Sequence, residues 1–405
     1  MKNKDTQRLH PILYAVLILL TLSAIFLGFL YFRWELRNVQ GTTVPSLSPT
    51  VENSPLTTPT HGTPTDATIR LAWFTSLPKS SDDIFQIAQW FDLYILIQGD
   101  EDNRDVVHNL GVDGPILQYV NFDSIQDPGS CVEGPKINQV ADLPGDFCQI
   151  SEQHPDWFLL DMNGQRIVLQ DGSSKWYLMD PGNFGWRSFY LDRVKKFQAD
   201  PNWDGVFMDN VSVTLAFREA DGTLPAAYPS DDAYQAAIQE FLKFLYEEYF
   251  QPNRKLLFAN LVSRKDDADW VNHINYLDGV MHEGWAIDWP DGYRSPEVWE
   301  KHMQLAEQTQ RLGKYIILVS QGTQENSTLQ RFAFASYMLV NHGRAAFRYA
   351  NSDDYNEIWL YDNYAISLGE TLGDRYPVGS AWKRDFSNGS VLVNPETHEV
   401  EITIK

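Results

Sequence analysis

Eight short, apolar, β-rich runs recur through most of this 405-residue chain, and their number and spacing constrain the fold more than any other feature. They are IRLAWF (69–74), DLYILIQ (92–98), GPILQYV (114–120), GVFMDNV (205–211), KLLFANL (255–261), GVMHEGW (279–285), YIILVSQ (315–321) and AAFRYAN (345–351). Helical stretches fall between most of them, at 186–198, 232–250, 295–312 and 327–341, with Ser80, Ser295 and Ser327 as N-cap candidates. Parallel strands need such long crossovers, and eight β/α units close into a barrel. An open doubly wound sheet would alternate as well. Its nucleotide-binding forms carry a Gly-x-Gly-x-x-Gly turn or a Walker lysine motif, and this sequence has neither. The expected fold is therefore α/β, a (β/α)8 TIM barrel over 67–385. A long insertion, 121–185, stretches the third unit and contains a hairpin pattern, WFLLDMNGQRIVLQ, turned at Asn163–Gly164. After the last unit, residues 386–405 offer two more strands, a small C-terminal β appendage.

The N-terminal residues follow different rules. Residues 11–32 are 22 positions without a charge, enough at 1.5 Å per residue to cross a ~30 Å hydrocarbon core. This predicts a single transmembrane helix. A cleaved signal peptide is the competing reading, but the run exceeds a signal's apolar region and no small-residue cleavage pattern follows it closely. Lys2, Lys4 and Arg8 precede the run while Arg33 and Arg37 follow it, a modest bias that keeps 1–10 in the cytoplasm and the bulk outside. Residues 33–66 form a Pro/Thr/Ser-rich stalk with little to bury; 41–66 alone hold five prolines, eight threonines and three serines. The expected location is the cell membrane, single-pass, with the lipid bilayer as one partner. The chain's two cysteines, Cys131 and Cys148, lie in one polar stretch, and export favours a disulfide between them over two free thiols.

Net charge is −22, which repels phosphate backbones and argues against nucleic acid. Neutral or cationic substrates fit more easily. Reacting groups of such barrels lie at the C-terminal ends of the strands, so residues at or near the ends of the runs are the candidates: Trp73, Gln98, Tyr119, Asp209, Asn260, Glu283, Gln321 and Tyr349. Two are acids. The others are amides and aromatics, the set that bonds sugar hydroxyls and stacks on pyranose faces. Asp209 and Glu283 end a repeated segment, Asp204-Gly205-Val206-Phe207-Met208-Asp209 against Asp278-Gly279-Val280-Met281-His282-Glu283, so their registers match. Strands four and six lie two strand spacings apart, which brings inward-leaning carboxyls into the ~5–9.5 Å range of glycoside hydrolysis. One acid donates a proton to the leaving oxygen while the other stays ionised, which assigns Asp209 as nucleophile or base and Glu283 as general acid/base.

Asp180, ahead of a Pro-Gly turn, is a reserve candidate, and Trp186, Trp285 and Trp289 join Trp73 as possible sugar platforms. No His-x-His or His-Glu-x-x-His occurs, so no metal is expected, nor any other cofactor. No Gly-x-Ser-x-Gly elbow supplies an acyl-transfer nucleophile.

WDGVFMDNV, LDGVMHEGW and RDFSNGSVLVNP together resemble the glycosyl-hydrolase-like 15 group, a family of barrel glycosidases defined largely from sequence. The resemblance spans about 70–405. An aspartate ending strand four and a glutamate ending strand six are also similar to dextranase-type glycosidases, and that likeness implies the nucleophile role for Asp209 and the acid/base role for Glu283. The expected function is a membrane-anchored glycoside hydrolase acting on an extracellular poly- or oligosaccharide. The alternatives are a glycan-binding or cell-wall-associated barrel without turnover, and a transglycosylase.

Overall fold

The computed structural model describes residues 69–405 apart from 136–137, 217, 219–223, 263–266, 289–291 and 353. The apolar run 11–32, the stalk and Trp289 lie outside the described residues. Among the described residues, no helix is long and apolar enough to cross a membrane.

All eight runs are strands: β1 (Ala72–Thr75), β2 (Leu93–Leu96), β3 (Ile116–Asn121), β4 (Gly205–Ser212), β5 (Leu256–Val262), β6 (Gly279–Glu283), β7 (Tyr315–Gln321) and β8 (Ala345–Ala350). They pair in parallel in chain order, β1 through β8. The ring closes where Leu71 pairs in parallel with Phe347, whose N–H donates to the Arg70 carbonyl at 2.9 Å. Alternate residues face inward. Ala72, Phe74, Leu93, Ile95, Leu117, Phe207, Leu256, Phe258, Met281, Ile317, Val319 and Ala346 fill the interior, while the outward set packs under the helices in a second, larger core.

The repeated Asp-Gly-Val segment is explained at the strand starts. Asp204 accepts the Ile116 N–H at 2.8 Å and Asp278 accepts the Leu257 N–H at 3.0 Å, so each aspartate holds the first turn of the neighbouring strand. Asp92 does the same for Leu71 at 3.0 Å. The glycine that follows is required by space. A Cβ on Gly205 would lie 1.9 Å from the Leu256 carbonyl oxygen, and one on Gly279 would lie 2.4 Å from the Phe258 ring.

The helices 184–197, 231–245, 296–311 and 327–340 match the expected stretches. Ser80 and Ser295 cap theirs, accepting from Asp83 and Val298. The cap before 327–340 is Asn326 rather than Ser327, and it accepts the Leu329 N–H at 3.2 Å. That helix is buried almost all round, because the C-terminal sheet covers the side turned away from the barrel. Arg384 fastens it by donating to the carbonyls of Met338 (3.2 Å) and Asn341 (2.7 Å). This sheet is wider than the two strands expected from 386: it is antiparallel and four-stranded, starting at Tyr376.

The insertion after β3 contains a three-stranded antiparallel sheet, Ser124–Asp127, Ser174–Leu178 and Val168–Asp171, with the second strand central. Gly164 adopts the left-handed conformation expected of the Asn163–Gly164 turn, and a bridge from Leu160 to Arg166 flanks it. The regular hairpin lies one turn later, at Gly172. Cys131 and Cys148 form a disulfide with Cα atoms 5.7 Å apart.

Candidate active site

A cavity of about 1040 Å³ opens at the C-terminal end of the strands, and the ends of β3 to β6 deliver polar side chains into it. Asp209 sits in β4 where its register against β5 shifts, between Met208 and Val211. The shift passes through Asn210, a non-glycine residue at φ +60°, whose own N–H donates to Asp209 Oδ1 at 2.8 Å. Asn210 Nδ2 is tied in turn to Asn121 Oδ1 at 2.9 Å. The Tyr119 hydroxyl donates to the other oxygen of Asp209.

Glu283 ends β6 and opens to the cavity. Asn260, on β5 between the two acids, donates to Asp209 Oδ1 at 3.1 Å and to Glu283 Oε2 at 3.0 Å. One amide nitrogen bonded to both oxygens limits their separation to about 6 Å. On its far side Glu283 accepts from the Tyr355 hydroxyl at 3.0 Å, and Gln321 donates to that hydroxyl.

These surroundings push Glu283 above its ordinary value of 4.5. The enclosing walls strip water from it, and the negative charge of Asp209 adds to the shift; the donors on Asn260 and Tyr355 oppose both and lose. Tyr119 and Tyr355 are themselves raised, by burial first and then by the neighbouring carboxylates, so both remain protonated donors. A third carboxyl, Asp123, lines the wall paired with Arg218 at 2.5 Å; burial raises it despite that partner. Among the described residues no group of His, Cys, Asp and Glu is arranged to hold a metal ion.

Four sequence candidates thus converge: Asp209, Glu283, Tyr119 and Asn260. Gln321 stands one residue back, orienting Tyr355. The other expected sugar contacts lie elsewhere. Trp73 is fully buried under the helices with the Arg348 guanidinium 4.8 Å over its ring. Trp186 is buried in helix 184–197, and Trp285 is buried with its indole N–H on the Ala333 carbonyl at 3.2 Å. Tyr349 turns outward to the carbonyls of Thr323 and Asn326, and Gln98 reaches Asp142. Asp180 is a turn residue that accepts the Gly182 N–H at 2.8 Å and the Tyr228 hydroxyl. For Trp73 and Tyr349 the reason is the pleat, since a residue near the end of a run points inward only when it shares parity with the inner layer. Gln98 lies in the turn beyond Leu96, where β2 ends.

Asn121, Asp123, Asn210, Arg218, Tyr355 and Trp176 also line the cavity and were not anticipated. Asn121 was within reach of the same parity, two residues after Tyr119. The other five come from the register shift, the insertion and the loops, where no periodicity marks them.

A closed (β/α)8 barrel carrying an amide-bridged pair of carboxyls at its catalytic end has the architecture of a paired-carboxylate hydrolase. The chain belongs to hypothetical glycosyl hydrolase family 15, which it matches over residues 115–390, and this classes it among the glycoside hydrolases. Among solved structures it is similar to the glycoside hydrolase domain of PelA from Pseudomonas aeruginosa, at 14% identity over 72% of this chain and 97% of that one, TM-score 0.46. It is also similar to the noncanonic maltogenic alpha-amylase AmyB from Thermotoga neapolitana, at 10% identity over 82% and 86% of the two chains, TM-score 0.46. The alpha-galactosidase TtGalA from Thermus thermophilus is a third, at 14% identity over 78% of this chain and 65% of that one, TM-score 0.44. No curated protein matches the sequence.

Proposed function

We propose that this protein is a membrane-anchored, outward-facing glycoside hydrolase that cleaves O-glycosidic bonds of a surface poly- or oligosaccharide, with Asp209 as nucleophile and Glu283 as general acid/base. The observation that carries this reading is the Asn260 amide shared by the two carboxylates at the open mouth. An oxygen separation of no more than about 6 Å leaves no room for a water between Asp209 and the anomeric carbon, and it favours the retaining mechanism. Enclosure by the cavity walls and then the charge of Asp209 shift Glu283 toward the protonated form that the leaving oxygen needs. Asp209 receives donors from Tyr119, Asn260 and the Asn210 N–H, which fix its orientation for attack. After the glycosyl-enzyme forms, the deprotonated Glu283 activates the water that releases it.

Reducing-end detection on a panel of surface glycans tests the hydrolysis, and proton NMR of the first product tests the stereochemistry. A β product from a β substrate, or α from α, supports the assignment; inversion removes the nucleophile role from Asp209. The domain layout belongs to the same proposal: residues 1–10 in the cytoplasm, 11–32 as the anchor, 33–66 as the stalk and the barrel outside. Membrane fractionation of the intact chain against one lacking 11–32 tests it. Recovery of both in the soluble fraction would refute the anchor.

A further inference from the structure

Trp176 is unlike the other described tryptophans. It projects from the central strand of the insertion sheet, cross-strand from Gln126 on one side and Leu169 on the other, and it lines the catalytic cavity. Its side chain is only partly buried and belongs to neither hydrophobic core. Among the described residues no aromatic ring or cation stacks on it and no acceptor takes its indole N–H. Trp73, Trp157, Trp186, Trp270, Trp285 and Trp299 all have such neighbours. Trp90 lacks a ring partner too, but it packs against the core.

A large apolar ring held partly in water inside a polar cavity forgoes the burial that stabilises its counterparts. Its position is fixed all the same, because the strand bearing it is hydrogen-bonded on both edges. A rigid, unstacked indole beside sugar-binding amides suits the C–H face of a pyranose, with the N–H left to meet a hydroxyl. The cavity volume lies at the upper end of the range for small-ligand sites, room for more than one ring.

We infer that Trp176 is the platform of a second sugar subsite, which binds a pyranose other than the one attacked by Asp209, so that the substrate is an oligosaccharide or polysaccharide chain rather than a simple glycoside. This rests on the glycosidase reading above and deepens it.

The test compares the full chain in detergent with Trp176→Ala and Trp176→Phe. The probes are 4-nitrophenyl monoglycosides and four- to six-residue malto-, isomalto-, cello-, galacto- and chito-oligosaccharides, followed by hydrolysis and by titration calorimetry. For the oligosaccharide that the parent cleaves, Trp176→Ala is expected to raise KM about tenfold with little change in kcat, and Trp176→Phe to recover part of the loss. Monoglycoside kinetics stay at the parental level. Equal losses on both substrate lengths, or an unchanged oligosaccharide KM, overturn the subsite. If the parent cleaves nothing, the hydrolytic reading fails separately and calorimetry decides: binding weakened about tenfold by Trp176→Ala supports the platform. Equal binding by parent and variant, or no binding by the parent, refutes it.

Discussion

The two ends of the barrel use the same acids for opposite purposes. At the strand starts Asp92, Asp204 and Asp278 each accept a backbone N–H from the adjacent strand, so each ties one carboxyl oxygen to the sheet. Five residues on, roughly 16 Å further up the barrel, Asp209 and Glu283 meet side chains from β3, β5 and the loop after β8, in a space open to a ligand. A carboxylate bonded to backbone is a fastener. Asp209 also takes a backbone N–H, from Asn210, but it shares the Asn260 amide with a second carboxyl and faces a cavity, which leaves it accessible for chemistry. The repeat in the sequence therefore encodes a sheet-fastening acid and a cavity-facing acid on each of two strands.

Exchanging the charges tests the division most sharply. Asp209→Asn and Glu283→Gln should each lower kcat by roughly 10²–10⁴ or more with melting temperature retained. Asp204→Asn and Asp278→Asn should leave kcat near the parental value. A comparable activity loss at the lower pair would erase the contrast. Next in size is Asn260→Ala, expected to lower kcat by roughly 10–100-fold because both acids lose a shared donor. It should also move the pH profile. A raised carboxyl stays protonated to higher pH, so acid catalysis persists above the ordinary value of 4.5 and fades as pH rises through the shifted one. The Asn260 donor opposes that shift, so its removal carries the alkaline limb of kcat further upward. A limb that moves down contradicts the hydrogen-bonding described.

Asp278→Ala probes the lower end alone. It leaves the buried Leu257 N–H without its acceptor and should destabilise the fold by about 1–3 kcal/mol in urea titration, with kcat maintained. The smallest effect is expected at Asn210. Its left-handed backbone favours glycine, so Asn210→Gly should keep most activity. Asn210→Ala adds roughly 1–2 kcal/mol of strain beside Asp209 and should lower kcat further. Equal kcat values in the two variants would show that the backbone conformation at 210 does not position the acid.

The sequence made the barrel legible because its evidence is repeated eight times, and no single ambiguous run could mislead the count. Asp209, Glu283, Tyr119 and Asn260 were legible for a related reason: each lies near the end of a run on the inward parity set by Phe207, Met281, Leu117 and Phe258. Trp73 and Tyr349 failed by one residue each, lying on the parity opposite to the inward Phe74 and Ala346. Tyr355 could not be read at all, since it reaches Glu283 from a loop whose position only the closed ring determines. Trp176 stayed hidden because the insertion's pairing is long-range, with Ser124 opposite Leu178 across most of the inserted segment.

The seam between Leu71 and Phe347 has a mechanical corollary. It joins the described residues nearest the N-terminus to the last stave of the ring through a single bridge, with Tyr337 gripping the Arg70 N–H at 2.9 Å just behind it. Tension entering along the backbone at Ile69 would reach this joint before any other pairing of the cylinder. The hoop would part there first, and a trimmed version of the protein that begins beyond Leu71 would lack the latch that makes it a ring.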